Sequence, residues 1–203
     1  MSFRRIHCIN ALKTQTECTV QLIDQSNLDQ YILPEYPLHP AYPYLSETHR
    51  CDYLRTYFMR FYGGGYSDIK IPNGSWKHAF ECMQNDPNVW IIGYPESSPD
   101  AIASPKTTHL WQQLVGNCAY IVRPNTPFVK EWFDRQQSLL TEKYEALKAN
   151  PSTRPDDCID FYPQSKYPIE WNQLLGRIFH EVLGNYTEHI QQLLPTPNFH
   201  FYR

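Results

Sequence analysis

The segment His49–Lys70, "HRCDYLRTYFMRFYGGGYSDIK", decides how this chain reads. Leu54, Tyr57, Phe58, Phe61 and Tyr62 fall at i, i+3, i+4, i+7 and i+8, one stripe of an α-helix. Gly63 is where such a helix stops, because a left-handed C-cap costs glycine nothing. Three consecutive glycines exceed what a cap requires, and Gly64 and Gly65 permit close approach of another backbone or a ligand. "YSDIKI" then alternates as a strand, which puts Tyr66, Asp68 and Lys70 on one face. Asp52 and Arg55, three apart on the helix, are neighbours on the flank of the stripe. They are either a structural ion pair or a forked donor and an acceptor presented together to hydroxyls or a phosphate. Asp68 and Lys70 facing one crevice suit a diphosphate, whose charge Lys70 neutralises while Asp68 holds a metal or a ribose hydroxyl. The bland alternative is a surface salt pair, worth about 0–1 kcal/mol.

On the N-terminal side, "RRIHCIN" and "CTVQLID" read as short apolar strands, the second ending in Asp24. Ser26, with Asp29 three residues on, reads as the cap of a short helix, and "LPEYPLHPAYPYL" as a proline-punctuated loop. On the C-terminal side, Ser75 is expected to cap a helix carrying Trp76, Ala79, Phe80 and Met83. "VWIIG" and "CAYIVR" are compact strands. Thr126-Pro127 opens a long helix, cap then proline, with Val129, Trp132, Phe133, Leu140 and Leu147 inward. A polar loop covers roughly 150–168, a last helix runs from Leu174 to Gly184, and "PTPNFHFYR" reads as a final short strand. Strands alternating with helices predict one α/β domain over 1–203, with a mixed, mostly parallel central sheet flanked by helices. Ligands sit beyond the carboxyl ends of strands in such sheets, where Asn10, Asp24 and Asp68 are placed.

Composition narrows the function classes. With 203 residues the chain is long enough for a substantial core, and a formal net charge of -3 gives no nucleic-acid footprint. No stretch is apolar and long enough to span a bilayer, and "MSFRRIHCINALK" has neither the apolar run nor the cleavage site of a signal peptide. Six scattered cysteines without a Cys-x-x-Cys pair read as reduced thiols, so a cytoplasmic setting is expected and the sequons at Asn73 and Asn185 are accidental. The 15 Tyr, 10 Phe and 5 Trp supply apolar surface with polar tips, for a core or for platforms under sugars and bases.

The segment "CDYLRTYFMRFYGGGYSDIK" resembles the donor-binding segment of glycosyltransferases with a DXD-containing sugar-binding region. These include fungal initiating mannosyltransferases and capsular polysaccharide enzymes, and clostridial glucosylating toxins carry a related segment. Asp52, Leu54, Arg55, Tyr62, Gly63, Gly64 and Asp68 match that pattern in order and spacing. Weaker likeness extends to "RRIHCIN", "VQLIDQSNLDQYI" and "GNCAYIVRPNTPF". The resemblance implies a GT-A fold and a soluble bacterial or large-virus enzyme. Its activity would be transfer of a sugar, with retention, from a UDP- or GDP-linked donor to a glycan or glycoprotein acceptor. It places Asp52, Arg55, Gly64 and Gly65 at the donor, Asp68 at the ribose and metal, and Asn10 and Asp24 near the nucleotide.

One position departs: the second DXD aspartate is Lys70, and an ammonium does not coordinate a cation. Either Mn²⁺ or Mg²⁺ is held by Asp68, the diphosphate and a further ligand such as His200, or Lys70 replaces the metal. Asp156, Asp157 and His180 are acceptor-side candidates, with loop and helix-surface roles as the alternative. A nucleotidyltransferase of the polymerase-β type needs two carboxylates for two metals, and only Asp68 abuts the glycines. A P-loop is excluded because no Gly-Lys-Ser/Thr is present. A sugar-nucleotide binder that has lost catalysis is the remaining rival.

Overall fold

The computed structural model describes residues 2–200. Its helices are α1 (Phe3–Gln15), α2 (Glu47–Phe61), α3 (Lys77–Asn85), α4 (Pro127–Ala149) and α5 (Gly176–Leu183). Its strands are β1 (Gly64–Ser67), β2 (Ile91–Pro95), β3 (Val115–Val122) and β4 (Ile190–Gln191). No helix among the described residues is long and apolar enough to cross a membrane.

The architecture is α/β, with one mixed sheet in the order β1-β3-β2-β4. β3 pairs antiparallel with both β1 and β2, and only the short β4 runs parallel to β2. The sheet is therefore mostly antiparallel, not mostly parallel as the alternation of elements predicts. The connections give the reason. A parallel neighbour needs a long crossover, usually a helix, whereas the chain between β2 and β3 makes only short 3₁₀ turns and returns alongside itself. Register shifts between Gly93, opposite Tyr120, and Pro95, opposite Val115, an irregularity in the β2–β3 ladder.

Two expected strands are absent. "RRIHCIN" lies in α1, where Ser2 Oγ accepts the Arg5 amide at 3.4 Å. The alternation of Ile6 and Cys8 misleads, because Ile6 is exposed while Cys8, Ile9, Ala11 and Leu12 follow the helical period into the core. The segment 19–24 has no regular structure. Ser26 caps nothing: its amide and hydroxyl both donate to Asp24 Oδ1, and a single 3₁₀ turn, Leu28–Tyr31, follows. Trp76, not Ser75, stands at the N-cap of α3, with Ser75 Oγ accepting from the Lys77 amide at 3.2 Å. At the tail, a lone bridge joins Asn198 to Ile71, and residues 201–203 of the expected last strand lie outside the described residues.

The two faces of β3 separate the core. Tyr120 and Val122 turn towards α4 and α5, meeting Phe128, Trp132 and Phe179. Ala119 and Ile121 turn the other way, onto Trp76, Ala79 and Met83 of α3. A third cluster joins α2 to α4 through Tyr53, Tyr57, Leu140 and Leu147, with Tyr167 beside them. The buried stripe of α2 is His49, Asp52, Tyr53, Thr56 and Tyr57, rotated from the expected one, and Tyr62 is exposed. The proline-rich loop packs on part of this face. It has few backbone bonds of its own, so its amides and carbonyls must find partners. The Tyr57 hydroxyl accepts from Leu33 N–H and donates to the Tyr36 carbonyl, and the Tyr53 hydroxyl accepts from His39 N–H.

Candidate functional site

Asp52 and Arg55 sit on the buried side of α2, one turn apart, with Arg55 Nη2 3.1 Å from Asp52 Oδ1. Beyond α2 the chain reverses at Gly63, whose φ of +66° is the left-handed C-cap. A side chain there would run into the Pro124 ring and the Val122 carbonyl. The other two glycines have structural uses as well. Gly64 also takes a positive φ, and a Cβ on Gly65 would press against Trp76 and Phe80 at 3.0–3.3 Å. The close approach at Gly65 is therefore to α3 rather than to a ligand.

β1 pairs with β3 as far as Ser67, and the Asp68 amide still donates to the Cys118 carbonyl. Strand alternation stops there. The Lys70 amide donates to the Asp68 carbonyl two residues back, a γ-type turn. Asp68 and Lys70 thus meet because the chain folds tightly, not because strand side chains alternate. Lys70 Nζ lies 2.5 Å from Asp68 Oδ2, and Arg55 Nη1 lies 3.5 Å from Oδ1. The Tyr66 hydroxyl donates to the same Oδ1 at 2.7 Å, and its ring carries the Arg55 guanidinium at 4.3 Å. Arg55 Nη1 also donates to the Asn117 carbonyl. The four residues singled out in the sequence form one connected network between α2 and the β1 edge.

The network is largely removed from water: Asp52, Arg55 and Lys70 keep side-chain exposures of 7, 10 and 5%, and Asp68 keeps 23%. Burial pushes the Asp52 carboxyl up to about 6, against the pull of Arg55 and with a further push from Asp68. Burial would raise Asp68 too, but Arg55 and Lys70 outweigh it and hold that carboxyl below its usual value. One carboxylate is thus strongly ionised and its neighbour poised.

The network borders an open cleft of about 420 Å³ lined by Tyr94, Glu96, Asn117, Cys118, Thr196 and Phe199. Cys118 Sγ lies 3.7 Å from Lys70 Nζ, and the Phe199 ring centroid lies 5.5 Å from it. Other sequence-chosen residues are elsewhere. Asn10 is exposed on α1, and Asp24 is exposed in its own turn, its carboxyl lowered by the Ser26 hydroxyl and amide. Neither stands at a strand end, because those strands do not form. His200 is exposed, with its backbone N–H on Asn198 Oδ1. Asp156 accepts from Tyr162, and buried Asp157 ties the loop through Thr153 and Ser165. His180 is buried, with Nε2 3.7 Å from Glu96 Oε1. Glu96, in "YPESSP", escaped the sequence reading, since nothing local marks it as facing a cleft.

Fold and site together define an α/β chain with a buried carboxylate–cation network beside a cleft. Compared with protein-family models, with curated proteins and with solved structures, the chain finds no match.

Proposed function

We propose that this chain binds a nucleotide-diphosphate sugar against the Asp52–Arg55–Asp68–Lys70 network and transfers the sugar to a glycan or glycoprotein hydroxyl, with retention. One observation carries the reading: Asp52, Arg55 and Asp68, which match the resemblance, converge with Lys70 into two cations and two carboxylates linked in series, behind Asn117 and Cys118 of the cleft wall. Asp52 and Arg55 orient the sugar hydroxyls. Breaking the sugar–phosphate bond leaves negative charge on the diphosphate, and a cation already fixed in a dry site stabilises it without reorganising. Lys70 is that cation in this reading.

Metal chemistry at Asp68 fits the donor set poorly. Oδ2 is taken by the Lys70 ammonium, and Oδ1 by Tyr66 and Arg55. A divalent ion would meet two positive groups there, with no carboxylate at position 70 to offset them. The reading therefore routes no step through a metal on Asp68. The GT-A fold belongs to the proposal too, supported by the antiparallel β1–β3 pair behind the glycines and by the resemblance.

A specific observation favours a second reading, binding without transfer. The charges of Arg55 and Lys70 are already balanced by Asp52 and Asp68, so the network is neutral without a ligand. The test is thermal shift against UDP-, GDP- and dTDP-sugars with Mn²⁺ or EDTA, followed by nucleotide release and product analysis. A midpoint rise with one donor, indifferent to EDTA, supports the reading. Release of nucleotide with glycoside formation separates transfer from binding. No shift with any donor refutes both.

A further inference from the structure

Among the described residues, Glu96 is the one carboxylate that lines the cleft, at the turn leaving β2. Its side chain is 11% exposed. Among the described residues, none donates a hydrogen bond to it, and the titratable group beside it is His180 Nε2 at 3.7 Å. That histidine is not its counter-ion. His180 Nδ1 accepts the Ala103 amide at 2.9 Å, which leaves the ring proton on Nε2, where the Val115 carbonyl takes it at 3.3 Å. Burial keeps the imidazole neutral, its pKa lowered to about 4. The other groups around the cleft are Tyr94 and Cys118, both raised by burial, with Lys70 and Asp68 behind Cys118. A carboxylate this enclosed normally finds a donor. Here the open side is the cleft, and burial raises the Glu96 carboxyl to about 7.

The rest of the cleft wall is amphipathic. Phe199 and Tyr94, ring centroids 6.2 Å apart, offer aromatic surface, while Asn117, Ser97 and Thr196 offer hydrogen-bonding groups. Aromatic faces beside polar groups match a sugar ring, which has C–H faces and a hydroxyl rim.

We propose that this cleft is the acceptor subsite, and that Glu96 accepts the proton of the acceptor saccharide's attacking hydroxyl. The inference rests on the transferase reading above. The hydroxyl oxygen forms the bond to the anomeric carbon on the same face from which the diphosphate oxygen departs, as that carbon–oxygen bond breaks, so the configuration is retained. The diphosphate leaves with the electron pair, and the hydroxyl proton goes to Glu96.

The experiment compares wild type with Glu96→Gln and Glu96→Ala, using the donor that gives the thermal shift and methyl glycosides of glucose, mannose and galactose as acceptors. Near-ultraviolet circular dichroism checks that each variant is folded. Glu96→Gln should keep the donor-induced shift, lose transfer by about 10²–10⁴-fold, and lose the rise of wild-type transfer through pH 7. Equal transfer and an unchanged pH profile in a folded Glu96→Gln overturn the inference while the transferase reading stands. A variant that also loses the donor shift overturns it too, by moving Glu96 to the donor. Nuclear magnetic resonance titration with the methyl glycosides alone separates the two ideas. Glycoside binding that Glu96→Ala abolishes, in a wild type that binds no donor, refutes the transferase reading and keeps the saccharide cleft. Absence of both kinds of binding refutes both.

Discussion

Arg55→Met is the sharpest probe of the network. The guanidinium meets Asp52 at 3.1 Å, Asp68 at 3.5 Å and the Asn117 carbonyl at 3.1 Å, and lies over Tyr66. Methionine keeps most of the apolar stem and removes the charge. Asp68 retains Lys70, but Asp52 is left buried with a like charge as its neighbour. Taking one partner from a buried ion pair costs about 3–5 kcal/mol, so the expected loss is about 4 kcal/mol. With a urea slope of about 2.5 kcal/mol per molar, the midpoint falls by about 1.5 M. The pH dependence has a definite sign. A carboxyl whose folded pKa lies above its unfolded one destabilises the fold at high pH, and that cost vanishes as pH falls below the unfolded value. Asp52 stands at about 6 against an ordinary 3.8, and losing Arg55 removes the pull that opposes burial. The variant's deficit should therefore shrink between pH 7.5 and pH 5, and Asp52→Asn added to Arg55→Met should recover part of it. Urea unfolding followed by tryptophan fluorescence at both pH values reads this directly. A loss below about 1 kcal/mol, or a deficit that grows towards acid, refutes the buried-network account.

Gly63→Ala should cost about 2 kcal/mol or more, because φ is +66° and the new methyl meets the Pro124 ring; denaturant midpoints measure it. Gln136→Leu removes an amide that donates to the Asp52 and Leu174 carbonyls; the Asp52 carbonyl keeps the Thr56 hydroxyl as a donor, but the Leu174 carbonyl is stranded. A loss of about 1–3 kcal/mol is expected, with faster amide exchange in α2. Glu96→Gln should be more stable than wild type above pH 7. The folded carboxyl titrates near 7 and the unfolded one near 4.5, so wild type loses stability as pH rises through that window. Melting temperatures from pH 4 to 8 should converge at the acid end, and divergence there sinks the assignment.

Much of the site was legible in advance. Asp52 and Arg55 follow from helical spacing, and Gly63 from the end of an apolar period; both depend on neighbours in sequence. Strand alternation predicts that Asp68 and Lys70 meet, but a γ-type turn is what joins them. Asn10 lies on a helix rather than at a strand end, because Ile6 and Cys8 alternate by chance within a helix that Ser2 caps. Glu96 was invisible: its setting is made by His180 and Asn117, from distant parts of the chain.

By itself the sequence determined the local conformations with strong covalent or periodic causes: α2, the glycine reversal, the Thr126-Pro127 entry to α4, and the apolar strands β2 and β3. The tertiary structure decided the direction of strand pairing, the face of α2 that is buried, and which carboxylates lie in low dielectric. Those outcomes depend on which distant segments supply hydrogen bonds and cover, as the Tyr53 and Tyr57 hydroxyls do for the 33–39 loop. Propensity acts over a few residues, whereas burial and charge are properties of the assembled core.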